Sequence, residues 1–99
     1  MTKYKAYYQK METEHQELFD RFEPIHDAYK ADRSEAEAFH AIGGEVVAIM
    51  REWEQRLCAG MERGKHAQYS RGVSEKFWNE IKQRFSHIEL VGVTSTFQT

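Results

Sequence analysis

Three histidines each follow a glutamate by three residues, giving the pairs Glu12–His15, Glu23–His26 and Glu37–His40. On a helix this spacing puts both side chains on one face, and a carboxylate beside an imidazole is a donor set for zinc, manganese or iron. Two such helices folded against each other would bring Glu23, His26, Glu37 and His40 together as a metal-binding group. The same spacing also arises from composition, because the chain holds 13 glutamates in 99 residues. In that case the glutamates are solvated helix-face charges and the histidines are partly buried polar side chains. We therefore assign no cofactor and no metal, and keep those four residues as candidate ligands.

The elements that must position them are helical. One proline, six glycines and 30% charged residues argue against both disorder and a turn-rich β fold. Tyr4, Tyr8, Met11, His15, Leu18, Phe22, Ile25 and Tyr29 recur at alternating steps of four and three, a heptad seam that predicts a first helix over about 3–31. Tyr7, Phe19 and His26 widen the seam toward the face of a bundle. Pro24 lies inside the pattern and should kink it there.

Ser34 with Glu37, or Asp32 with Glu35, fits a capping box. A second helix is predicted over about 35–64, with Phe39, Ile42, Val46, Ile49, Trp53 and Leu57 as its apolar stripe and Gly64 as its C-terminal cap. A third spans about 73–86 around Phe77, Trp78, Ile81 and Phe85, and the tail 87–99 is extended or poorly ordered. The predicted fold is a single all-α domain over 1–99: a long antiparallel hairpin plus a shorter third helix. A turn centred near residue 33 sets His40 opposite His26, and Gly43 and Gly44 opposite Phe22 and its neighbours. Since the third helix spans only about half of the hairpin, the uncovered apolar stripe predicts a homodimer that completes the bundle.

Other chemistry is thinner. The Glu-x-x-His pairs resemble those of ferritin-like di-metal proteins, although there the two motif helices are not neighbours joined by a tight turn. His40, Ile42 and Gly44 resemble the helix motif of histidine phosphotransfer domains, which implies a phosphorylatable imidazole at His40; Gly43 stands where that motif has its lysine. Cys58 is the single cysteine, so no intramolecular disulfide can form, and a reducing cytoplasm is expected. No continuous apolar run suggests a targeting or membrane segment.

The net charge of −2 conceals a dipole. Residues 12–37 hold nine acids against three bases, while 63–99 hold six bases against three acids. Lys3, Lys5, Lys10, Arg56, Arg63 and Lys65 should cluster at one end, with Arg71, Lys76, Lys82, Arg84, Tyr69 and Trp78 nearby, as a nucleic-acid surface would require. A pI near 6.2 favours an ordinary solvated pole instead. With no assembled nucleophile, phosphate loop or zinc spacing, we expect a non-enzymatic module that acts through protein–protein contact as an adaptor, chaperone-like or regulatory protein. Its expected anchors are Tyr4, Tyr7, Tyr8, Phe19, Trp53 and Trp78, because large aromatics supply much of the energy of such contacts.

Overall fold

The computed structural model describes residues 2–62 and 69–93, with side chains over 2–59 and 72–93. Four α-helices and one 3-10 turn make up the fold, and no strand occurs among the described residues. They are α1 (Lys3–Glu14), α2 (Gln16–Asp32), α3 (Ala36–Glu62), α4 (Tyr69–Arg84) and the 3-10 turn Ile88–Leu90.

The single first helix expected from the seam is two helices, and the break is at His15 rather than at Pro24. His15 leaves helical geometry with φ −117° and ψ 29°, while its N–H still donates to the Met11 carbonyl at 3.0 Å and its carbonyl accepts from Phe19 N–H at 3.0 Å. The break shifts the buried face by one residue. Met11 is buried before it, but beyond it the core positions are Phe19, Phe22 and His26, with the seam residues Leu18 and Ile25 only half-buried. A step of eight between Met11 and Phe19, where a heptad would take seven, is a local change of phase in the helix pattern. Pro24 is exposed within α2, where the lost donor faces away from the core.

Between α2 and α3 the chain turns through two left-handed residues, Arg33 at φ 66° and Glu35 at φ 60°. The expected capping box does not form. Ser34 instead donates its hydroxyl and its N–H back to Asp32 Oδ1, which holds that exposed carboxyl below its ordinary range. Arg33 is held by its N–H to the Tyr29 carbonyl at 2.8 Å and by its guanidinium 4.8 Å over the Tyr29 ring. Glu35 contributes only its carbonyl, which accepts from Phe39 N–H at 2.7 Å. Glycine tolerates this backbone without steric cost, so Glu35→Gly is expected to raise stability by about 0.5–1 kcal/mol, read as a higher urea midpoint at unchanged slope.

On α3 the fully buried positions are Phe39, Gly43, Val46, Met50, Trp53 and Leu57. The expected stripe is thus rotated: Ile42 and Ile49 are half-buried, and Gly43 and Met50 take the centre. Tyr29 stacks on Phe39 with centroids 4.0 Å apart, Phe22 lies 5.6 Å from Phe39, and His15 lies 6.3 Å from Trp53. α4 begins at Tyr69, a turn earlier than predicted, and buries Phe77 and Ile81, followed by Phe85. The chain does not then extend into solvent as far as Val93. It folds into the 3-10 turn, burying Ile88 and setting Val91 against Gly43. The predicted cap Gly64 and the tail residues 94–99 lie outside the described residues.

The apolar stripe that motivated a homodimer is covered within one chain by α1, α4 and the 3-10 turn. Among the described residues Val93, 53% exposed, is the large apolar side chain left open.

Candidate functional site

The Glu-x-x-His residues are brought near one another but not into a donor set. His26 is 1% exposed, ringed by Phe22, Phe39, Phe85 and His87. Its Nε2 accepts the backbone N–H of His87 at 3.0 Å, so the ring proton is on Nδ1, directed at Asp27 Oδ1 3.1 Å away. Both nitrogens are therefore in use. His40 accepts the Gly92 N–H on Nδ1 at 2.9 Å and packs edge-on against Tyr29 and Phe39, so the imidazole singled out by the phosphotransfer resemblance is a half-buried acceptor. Glu23 is bound to Arg84, and Glu37 is exposed. Among the described residues no group of three or more histidine, cysteine, aspartate or glutamate side chains is arranged to hold a metal ion.

His15 completes a pattern. The indole N–H of Trp53 donates to its Nε2 at 3.3 Å, and Tyr7 meets the same indole edge-on at 6.1 Å. Three imidazoles on α2, α3 and the α1–α2 break thus serve as acceptors for N–H groups of other segments.

The most concentrated electrostatic feature is one the sequence reading missed. Arg84, at the end of α4, donates to Glu23 (2.7 and 3.0 Å), Asp20 (2.8 Å) and Glu12 (3.0 Å), joining α1, α2 and α4. Burial works against its charge, but the hydrogen bonds to Glu23, Asp20 and Glu12 prevail and hold its pKa above the ordinary value. Tyr8 donates to the same Glu12 at 2.7 Å; burial, and then this bond to a carboxylate, raise its phenol pKa. The signal was present in the charge map: an acidic stretch over 12–37 and a basic C-terminal third must meet if the chain folds back on itself.

This clamp takes Arg84 out of the expected basic pole, of which Lys3, Lys5, Lys10 and Lys76 are exposed and make no ion pair among the described residues. Arg84 is committed to carboxylates, Lys82 pairs with Glu89 at 2.9 Å, and Arg56 pairs with Glu52 at 3.1 Å while lying over the Trp53 ring. Arg63 and Lys65 lie outside the described residues, as do the side chains of Tyr69 and Arg71. Of the six expected interface anchors, Phe19 and Trp53 are core residues, 0% and 4% exposed, and reach a partner only if the helices part. Tyr4, Tyr7, Tyr8 and Trp78 are half-buried.

A cleft of about 370 Å³ lies between α3, α4 and the 3-10 turn, lined by Val47, Arg51, Glu54, Trp78, Ile88, Glu89 and Val91. Its carboxylates are already engaged, Glu54 by the Ser74 hydroxyl and Glu89 by Lys82. Arg51 is exposed and makes no ion pair or hydrogen bond among the described residues. The cleft thus joins the apolar side chains of Val47, Ile88 and Val91, the Trp78 indole, the Arg51 cation and the Glu54 carboxylate. Arg51 and Val91 were not singled out in the sequence, because each lies on a segment without a motif. Among the described residues no helix is long and apolar enough to cross a membrane. Comparison of the chain with protein-family models, curated proteins and solved structures returns no match.

Proposed function

We propose that this chain is a non-enzymatic protein-binding module, and that the cleft between α3, α4 and the 3-10 turn is its recognition surface. The observation that carries this reading is the uncommitted Arg51, which lines one cleft together with Trp78, Val47, Ile88 and Val91. A partner segment that fits has an aliphatic or aromatic side chain next to an aspartate or glutamate. The occupied acceptor nitrogens of His15, His26 and His40 are consistent with a binding rather than a catalytic role. An adaptor, chaperone-like or regulatory role agrees with such a surface.

Within this reading α2 and α3 form an antiparallel hairpin, and a second copy of the chain is one candidate occupant of the cleft. Val93 is exposed on the segment that forms one wall of the cleft, so any self-association belongs there rather than along the helix stripe.

The test compares affinity capture by the wild-type chain with that by Arg51→Glu and Trp78→Ala, after circular dichroism has shown equal helicity. Proteins held by the wild type and lost from both variants support the reading; an identical set on all three overturns it. Light scattering of the same samples tests the homodimer, which should dissociate in both variants.

A further inference from the structure

The wall of this cleft that carries Ile88, Glu89 and Val91 is held to the rest of the molecule in an unusual way. Within residues 85–93 the main-chain hydrogen bonds are mostly internal: Ile88 N–H to Phe85, Leu90 to His87, Val91 to Ile88 and Val93 to Leu90, each at 3.0–3.1 Å. The two N–H groups that reach across to the helix pair, those of His87 and Gly92, both end on imidazole nitrogens, Nε2 of His26 on α2 and Nδ1 of His40 on α3. An imidazole nitrogen accepts a hydrogen bond only while it is unprotonated. Apolar contact adds Ile88, 2% exposed, and Val91 against Gly43.

We propose that His26 and His40 form an acid-sensitive latch on residues 86–93, so that their protonation releases the 3-10 turn and dismantles the cleft. This gives the proposed binding surface a pH dependence, and in its functional meaning it rests on that reading.

The chemistry is local. A proton added to His26 goes to Nε2, where it confronts the His87 N–H, donor against donor, in a position closed to water. Asp27 on α2 is the carboxylate within reach of that ring, and its side chain is 63% exposed. The other charged neighbours oppose a new cation: burial first, then Arg33, His26 and Lys30, already hold the His87 imidazole below its ordinary 6.5. Arg84 on α4 and Glu23 on α2 are committed to each other. From α3, His40 itself is the titratable group, and across from it α2 presents the Tyr29 phenol.

The sign follows from linkage. Since the folded His87 has a depressed pKa, the unfolded chain binds more protons as pH falls below about 6.5, so stability is full above that value and is lost on acidification. Loss of the two acceptor nitrogens on protonation acts in the same direction.

The experiment follows backbone amide resonances and fast-motion NOEs of Leu90–Val93 in the free protein between pH 7.5 and 5, so it needs no partner. The wild type should show these residues passing from helix-like order to disorder, while His26→Gln/His40→Gln, whose amide oxygens accept but do not titrate, should keep them docked. His15 and His87 remain in both proteins, so an acid transition of equal midpoint and size in the double variant overturns the latch, as does a wild type that stays ordered at pH 5. Should the double variant not fold, His40→Gln alone must still abolish the acid-induced shift of the Gly92 amide. A latch confirmed in a protein whose Arg51 and Trp78 variants capture the same partners would leave the latch standing and remove the recognition reading.

Discussion

Leucine at position 43 should lower the thermal midpoint by about 10 °C, whereas leucine at position 44 should raise it by a few degrees. A Cβ built on Gly43 would lie 2.7 Å from Val91 Cγ2, 3.1 Å from Val91 Cγ1 and 3.2 Å from Phe22 Cε1. Val91 is β-branched and has little rotamer freedom, and Phe22 is wedged among Phe39, Phe85 and His26. The larger side chain therefore expels Val91, and with it the Gly92–His40 bond. Overpacking of this kind costs about 1–3 kcal/mol and the lost apolar contact adds to it, while escape from glycine in a helix returns about 1. The net is about 2 kcal/mol, and a domain of this size moves about 4–8 °C per kcal/mol. Gly44 has nothing within 4 Å of its Cβ position, so only the helix gain operates there. Paired calorimetric scans decide it; equal shifts at both positions would mean that Gly43 does not seat Val91.

Arg84→Leu is the second large effect, with a loss of roughly 1–2 kcal/mol. The Arg84 side chain is 22% exposed, while its partners range from 30% for Glu12 to 57% for Asp20. The interaction therefore falls between a surface pair worth under about 1 kcal/mol and a buried one whose disruption costs about 3–5. Removing the guanidinium also leaves three carboxylates facing one another, and the deficit carries a signature that packing loss lacks. Added salt weakens the attraction in the wild type and the repulsion in the variant, so the difference in urea midpoint should narrow between 0.05 and about 1 M NaCl, where screening acts over about 3 Å. Arg84→Lys should recover only part of the loss, because an ammonium cannot fork to three carboxylates at once. A salt-independent deficit would assign the role of Arg84 to its stem and to its 4.9 Å contact with the Phe85 ring.

The helices were readable from the sequence because large apolar residues recur at their period: Phe39, Trp53, Leu57, Phe77, Ile81 and Phe85 are both expected and buried. The rotation of α3 was not. Ile42, Val46, Val47, Ile49 and Met50 spread over an arc of about 160°, nearly half of the helix circumference, so hydrophobicity alone leaves its angle open, and the seat for Val91 decides it by requiring a glycine inside. The break at His15 escaped because the seam keeps its period through it; only the partner on α3, the Trp53 indole, gives the imidazole a reason to leave the helix. Of the candidate site, histidines with local glutamates were visible, but their bonds go to main-chain donors of residues 87 and 92, which no side-chain motif encodes.

The seating of Val91 on Gly43 also orders events in time. The notch lies on α3 and the residue that fills it comes 48 positions later in the chain, so during synthesis α2 and α3 emerge and pair with an open gap beside Phe22. Closure of that gap waits for residues 88–91 to leave the ribosome, so it follows the local pairing of α2 with α3. A nascent chain of this protein therefore exposes aromatic surface beside Phe22 until residues 88–91 are made, and the small turn at 88–90 acts as the plug that closes that gap.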